Sequence, residues 1–265
     1  MALRIIVLVK QVPDPEGPPA SFQVDAEHKR IVPRGIPPVI NPFDENALEA
    51  AIRIKEKQGG EIILLTLGRN ISRALILKAV ASGADASVVA EDPSFDHAVL
   101  DPARSASLLA AAVDKMGGFD LILCGRQASD TNAGQVGLGM AHYLGIPAIT
   151  LAKSVDVMDG RVVVERVLAE GYEVWEAPLP CLVTVSSEIG DLRYPSLQAI
   201  KAAKSLNQIL LTRSDLEASL SVSSKVKTLF LSLPSRERNC VVVEAESHQE
   251  AGRLLARKLV EDKVI

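Results

Sequence analysis

The sequence predicts an α/β protein with a doubly wound, mostly parallel sheet, an antiparallel hairpin extension and a C-terminal arm. Short apolar runs rich in Val, Ile and Leu alternate with segments of helical periodicity through the first half of the chain, the pattern of strands joined by crossover helices. Hydrophobic residues make up 48% of the chain but aromatics only 3%, so the core is aliphatic, as in parallel sheets covered on both faces. After Ala152 the chain alternates apolar and polar residues and carries an Asp159-Gly160 turn, as in half-solvated hairpin strands. A length of 265 residues buries enough surface for a core without disulfide or metal staples.

The elements follow in order. IIVLV (5–9), EIILLTL (61–67), SVVAE (87–91), DLILCG (120–125) and PAITLA (147–152) read as the parallel strands. Between them, NPFDENALEAAIRIKEKQGG reads as a helix capped by Asn41, with Pro42 in its first turn, Asp44 and Glu45 complementing the dipole, and Gly59-Gly60 as its end. A second helix runs from about Ser72 to Gly83 and a third from about Pro102 to Met116. Residues 153–178 form the antiparallel extension and Cys181–Val185 a closing strand. Beyond Ser205 the chain turns polar and Ser-rich, then offers a short strand, CVVVEA, and an amphipathic helix from about Ser247 to Val260. A stretch this thin in core residues reads as an arm lying on another body.

Several function classes are disfavoured. A net charge of -4 gives no broad basic surface for nucleic acid or anionic membrane. Cys124, Cys181 and Cys240 lack the paired spacing of zinc or iron-sulfur sites and read as buried small hydrophobes. His28, His97, His142 and His248 lie far apart without a metal or catalytic motif, and read as surface or capping residues. No run approaches the ~20 apolar residues needed to cross a bilayer, and the first apolar run, between Arg4 and Lys10, is too short for a signal-peptide core. The expectation is a soluble, cytoplasmic protein.

Three motifs could carry function. CGRQASDTNAGQVGLGMAHYLGIP begins at a strand end and passes through a small-residue loop into a helix ending at Gly145. Such a turn presents loop amides and a helix N-terminus to phosphate, with Gly125, Ala133, Gly134 and Gly137 allowing close approach. It matches neither GxGxxG nor GxxxxGK[ST], and tight strand-to-helix packing alone would also call for glycine. Asp130, its one carboxylate, reads as shaping the loop by bonding nearby N–H groups. NPFDENA could lend the Asn41 amide to a purine edge or phosphate, or be an ordinary cap. DLRYPSLQAIKAAK (191–204) is a Pro-containing turn feeding a short helix; Leu197, Tyr194 and the lysines suit partner docking, although a solvated connecting helix would look the same.

Taken together, VLVKQVPD, NPFDENALEAAIRIKEK, GRQASDTNAGQVG and RYPSLQAIKAAK, in this order and spacing, resemble the beta subunit of electron-transfer flavoproteins, the FixA-type family. The resemblance spans nearly the whole chain. It implies a Rossmann-like fold of the adenine nucleotide alpha hydrolase kind over residues 1–205, with residues 206–265 as an arm embracing an alpha subunit that carries the redox-active FAD. It implies no catalytic residues and no metal. It places AMP, or in electron-bifurcating members a second FAD, against Leu8, against Asn41, Pro42, Phe43 and Asp44, and against Leu67 and Gly68. The loop would contribute Gly125, Arg126, Gln127, Ala128, Ser129, Asp130, Thr131, Asn132, Ala133, Gly134, Gln135 and Val136. It also implies a recognition loop with Arg193, Tyr194, Leu197, Lys201 and Lys204, Leu197 being the anchor, that docks acyl-CoA dehydrogenase-type flavoproteins. The final acceptor would be of the quinone oxidoreductase type.

The chain departs from the family at the loop. Bifurcating members resemble DGDTAQVGP and the familiar AMP-binding type DDDCNQTG, whereas this chain reads DTNAGQVGL. The reading taken forward is structural AMP, with a bifurcating FAD that oxidises NADH as the alternative. A stand-alone adenine-nucleotide module of the stress-protein sort is the other.

Overall fold

The computed structural model describes residues 2–96, 100–205, 208–219, 224, 226–233 and 240–265; His97 and parts of the expected arm lie outside them. Two compact units emerge, Met1–Leu231 and Ser232–Ile265.

The strands of the first unit are β1 (Arg4–Leu8), β2 (Gln11–Pro13), β3 (Phe22–Asp25), β4 (Arg30–Pro33), β5 (Pro38–Ile40), β6 (Glu61–Gly68), β7 (Ala86–Glu91), β8 (Leu121–Gly125), β9 (Ala148–Met158), β10 (Arg161–Leu168), β11 (Gly171–Pro178), β12 (Cys181–Val185) and β13 (Gln208–Leu211). Its helices are α1 (Pro42–Gln58), α2 (Arg73–Gly83), α3 (Pro102–Met116), α4 (Val136–Leu144) and α5 (Leu197–Ala203); α6 (His248–Glu261) belongs to the second unit.

Nine strands make one sheet in the order β11-β10-β9-β12-β8-β1-β6-β7-β13. From β9 to β13 the neighbours run parallel, and only β9-β10-β11 are antiparallel. The chain therefore winds outward from β1 in one direction through β6 and β7, then returns to β8 on the other side, which is the doubly wound pattern. Successive strand residues serve opposite faces: Ile5, Val7, Ile62 and Leu64 join one core cluster, while Ile6, Leu8, Ile63 and Leu65 join the other. Helices α1 and α2 cover the first face, α3 and α4 the second. The parallel strands are buried on both sides, hence their continuous apolar runs.

The structure departs from the sequence expectations in four places. PAITLA is the first part of an eleven-residue strand, β9, that runs on into the extension, so the extension belongs to the main sheet. Residues 11–40 carry two small antiparallel pairs, β2-β5 and β3-β4, which the sequence reading missed because Pro and Gly punctuate short runs there. Gln208–Leu211 pairs in parallel with β7 as the edge of the main sheet, although it follows the polar shift after Ser205. In the second unit CVVVEA forms no strand: Val241 and Val242 are exposed and have no partner strand to pair with among the described residues. Cys240 is likewise exposed, whereas Cys124 and Cys181 are buried as expected. Helix α6 has Ser247 at its cap, accepting from the N–H of Glu250, and buries no residue.

Candidate functional site

Crossovers leave β1 and β8 in opposite directions, so a crevice opens beyond their carboxyl ends. A cavity of about 710 Å³ lies there, with Leu8 and Val9 at the end of β1, Cys124 and Gly125 at the end of β8, and Leu65, Leu67, Leu100 and Leu109 among its apolar walls. Its polar wall is the loop from Arg126 to Gln135, which leads into α4.

The loop is shaped from outside. The Asn41 side chain donates to the Gln127 carbonyl at 2.9 Å and accepts from the Ser129 N–H at 3.1 Å. This corrects the expectation of an ordinary side-chain cap: Asn41 occupies the cap position of α1 but makes no capping bond, because its amide is committed to the loop. Asp130 also differs from expectation, pairing with the Lys10 ammonium at 2.7 Å instead of bonding loop N–H groups. Asn132 (φ 50°) and Gly134 (φ 61°) take the left-handed conformations that turn the chain into α4. Gln135 at the cap of α4 makes no side-chain capping bond, so the first-turn N–H groups have no partner within the helix.

Two glycines of this turn pack too closely on their neighbours for a Cβ. A Cβ at Gly125 would stand 2.6 Å from the Phe43 backbone and side chain and 2.7 Å from Asp44 Oδ1; one at Gly137 would stand 2.8 Å from Cys124 Sγ. Asp44 is buried, and its two oxygens accept from the Gly125 N–H at 3.0 Å and the Lys10 N–H at 2.8 Å. Burial pushes its carboxyl up to about 7, against the pull of those amides. The Cys124 thiol is pushed far up by burial beside Asp44, so it is a packing residue.

Of the residues expected at a nucleotide site, Leu8, Asn41, Asp44, Leu67, Gly125, Arg126, Gln127, Ala128, Thr131, Ala133, Gly134, Gln135 and Val136 line this one cavity. Pro42, Phe43, Gly68, Ser129, Asp130 and Asn132 are not among its lining residues. Phe43 lies under the Arg126 guanidinium, 4.7 Å from ring centroid to carbon. Sequence reasoning missed His28 and Lys29 on the β3-β4 turn, and Ser224 and Lys227, all of which line the cavity. Ser224 Oγ and the Val226 N–H bond Asp101, and Lys29 donates to the Thr228 carbonyl. Only the β3-β4 turn could bring His28 there, and no local motif signals it.

The cavity suits an anionic, partly apolar ligand. Arg126 lines the cavity and its Nε has no hydrogen-bond partner among the described residues, and the open end of α4 adds amide donors, so a phosphate fits the donor set. No group of side chains that could hold a metal ion occurs among the described residues, nor a helix long and apolar enough to cross a membrane. In segment 191–204, Tyr194 is 94% and Leu197 80% exposed, Lys201 and Lys204 are exposed, and Arg193 turns inward to Glu49 and Glu56.

The family model of the electron transfer flavoprotein domain matches residues 30–210. The chain belongs to the electron-transfer flavoprotein family. It is 36% identical to the electron transfer flavoprotein subunit beta of Thermoanaerobacterium thermosaccharolyticum, over 89% of this chain and 90% of that protein. It is 37% identical to the caffeyl-CoA reductase-Etf complex subunit CarD of Acetobacterium woodii, over 76% and 75%. To the acryloyl-CoA reductase electron transfer subunit gamma of Anaerotignum propionicum it is 33% identical, over 75% and 73%. It is thus a beta-type electron-transfer subunit.

Proposed function

We propose that this chain is the nucleotide-holding, partner-docking subunit of a heterodimeric electron-transfer flavoprotein whose alpha subunit carries the redox-active FAD. An adenine nucleotide, AMP, fills the switch-point cavity. Its phosphate takes the N–H groups at the start of α4 and the Arg126 guanidinium, and its base lies against Leu8, Leu65 and Leu67. The observation that carries this is the coincidence of the uncapped α4 with the orphaned Arg126 Nε on one wall. The nucleotide is structural: it satisfies donors that the fold leaves unpaired, while electrons pass through the partner's flavin. Denaturing the purified heterodimer and identifying what it releases tests this; one FAD with one AMP is the expected inventory.

One observation favours a second reading. At about 710 Å³ the cavity lies in the upper part of the ~300–1,000 Å³ range of small-molecule sites, with room for a dinucleotide. An inventory of two FAD, with NADH oxidation by the heterodimer, would establish a bifurcating subunit and reject structural AMP.

Segment 191–204 docks an acyl-CoA dehydrogenase-type flavoprotein with Leu197 as its anchor; an acceptor of the quinone oxidoreductase type completes the route. Support comes from the 80% exposure of Leu197 and from relatives whose names join electron transfer to CoA-ester reductases. Losing a central apolar anchor costs ~2 kcal/mol, roughly thirtyfold in affinity. Leu197→Ala should therefore weaken electron transfer from the dehydrogenase and leave both nucleotides in place; unchanged transfer rejects the anchor.

A further inference from the structure

The glycine loop and segment 191–204 hang from one helix. The first turn of α1 grips the loop through Asn41 and Asp44. Further along, Asn46, Glu49, Arg53 and Glu56, spaced three and four residues apart on one face, grip the chain that leads into 191–204. Asn46 Nδ2 donates to the Gly190 carbonyl at 2.7 Å and an Arg53 terminal nitrogen to the Ile189 carbonyl at 2.7 Å. Arg193 gives Glu49 three bonds, from its backbone N–H at 3.2 Å, Nε at 3.1 Å and a terminal nitrogen at 2.9 Å, and reaches Glu56 as well. Glu49 is 4% exposed. Burial alone would raise its proton affinity, but the bonds from Arg193 and Arg53 outweigh it and hold the carboxyl below its ordinary value.

Just beyond this tie stand two exposed hydrophobic residues. Tyr194 and Leu197 stand 94% and 80% exposed, so their own packing cannot fix where they are. The backbone on either side must do so. After them, α5 buries Ala203 and packs Ile200 on the core; before them, Leu192 packs on the same core and Arg193 supplies the directional tie. A forked guanidinium-carboxylate pair fixes geometry as well as supplying energy, and a buried pair is often replaceable by apolar side chains where stability alone is needed.

We propose that Glu49 is a positioning residue for partner docking: by clamping Arg193 it sets where Tyr194 and Leu197 stand, and Arg193 serves this internal tie instead of facing the partner. The role presupposes that 191–204 docks an electron donor, as proposed above.

Glu49→Gln keeps the shape and removes the charge. In the intact heterodimer, amide exchange across residues 192–198 should accelerate about tenfold, because charge-assisted bonds are roughly twice as strong as neutral ones. With butyryl-CoA-reduced acyl-CoA dehydrogenase from the same cells as donor, KM should rise about tenfold at unchanged kcat and nucleotide content. Arg193→Lys keeps the charge without the fork and should fall between the wild type and Arg193→Met. Unchanged exchange and KM in Glu49→Gln overturn the role, as does a loss confined to kcat. Leu197→Ala separates the two readings: if it leaves KM untouched the docking reading itself fails, whereas a raised KM there with an unmoved one in Glu49→Gln removes only the positioning role. Should Glu49→Gln fail to assemble, Arg193→Lys supplies the same readouts with the buried carboxylate still paired to Arg53.

Discussion

Asp44 shows how one side chain ties the cavity to stability. Its carboxyl sits at about 7 in the folded chain against an ordinary 3.8. Between those values the folded state holds a proton that the unfolded state has released, so stability falls as pH rises through that window and levels off above it. The span corresponds to at most about 4 kcal/mol. Thermal midpoints measured across the window should therefore decline in the wild type relative to Asp44→Asn; parallel pH curves would show that Asp44 does not titrate there. Two glycines separate packing from conformation. Gly125→Ala forces a Cβ to within 2.6 Å of the Phe43 backbone, an overpacking of about 1–3 kcal/mol at the wall of the cavity, so the denaturation midpoint and the nucleotide content should fall together. Gly145→Ala meets nothing within 4 Å and suffers only from its φ of +66°, so a loss of about 1 kcal/mol with nucleotide retained is expected; equal nucleotide loss in both would mean that the Gly125 contact is not what shapes the site.

At the scale of elements, the sequence reports what is periodic and hides what depends on distant partners. The parallel strands of the first half, α1, α3, α4 and the closing strand Cys181–Val185 were legible because each is a continuous apolar run or a helix whose ends are marked by Pro, Gly or polar residues. The strand Gln208–Leu211 was not, since Ile209 and Leu210 are exposed and only its pairing with β7 makes it a strand. The site divides in the same way. The loop from Gly125 to Val136 was legible from its small residues and its place at a strand end. Asn41 was legible as a helix-start residue but misread in its role, because nothing local says that its amide will be claimed by Gln127 and Ser129, more than eighty residues away. His28 and Lys29 reach the cavity through a small antiparallel pair that leaves no periodic signature. Losing both Asn41 bonds should loosen the loop without emptying the core: Asn41→Ala should cost about 1–3 kcal/mol and weaken nucleotide retention more than Leu197→Ala does, as read by the nucleotide released on dilution.

At the scale of the whole molecule, two elements leave apolar side chains exposed. β11 is an eight-residue edge strand on which Tyr172, Val174 and Trp175 are exposed, and its outer edge pairs with no strand among the described residues. Long open edges of this kind invite association and are normally blunted or covered. Separately, α6 buries nothing within its own unit although Leu254, Leu255 and Val260 lie along it. An amphipathic helix gains most of its stability from packing its apolar stripe, so α6 needs a surface that the Ser232–Ile265 unit does not supply internally. If that surface is an alpha-type subunit, as the proposed heterodimer requires, co-expression with it should slow amide exchange in α6 by at least about tenfold, because contact with the partner converts local fraying into opening of the assembly. The isolated chain should instead show fast exchange in α6 and concentration-dependent self-association through the β11 edge. A chain purified alone that stays monomeric, with α6 already protected to the level found in the heterodimer, would mean that the arm is completed within one polypeptide and that the second subunit is not what the apolar helix is built to meet.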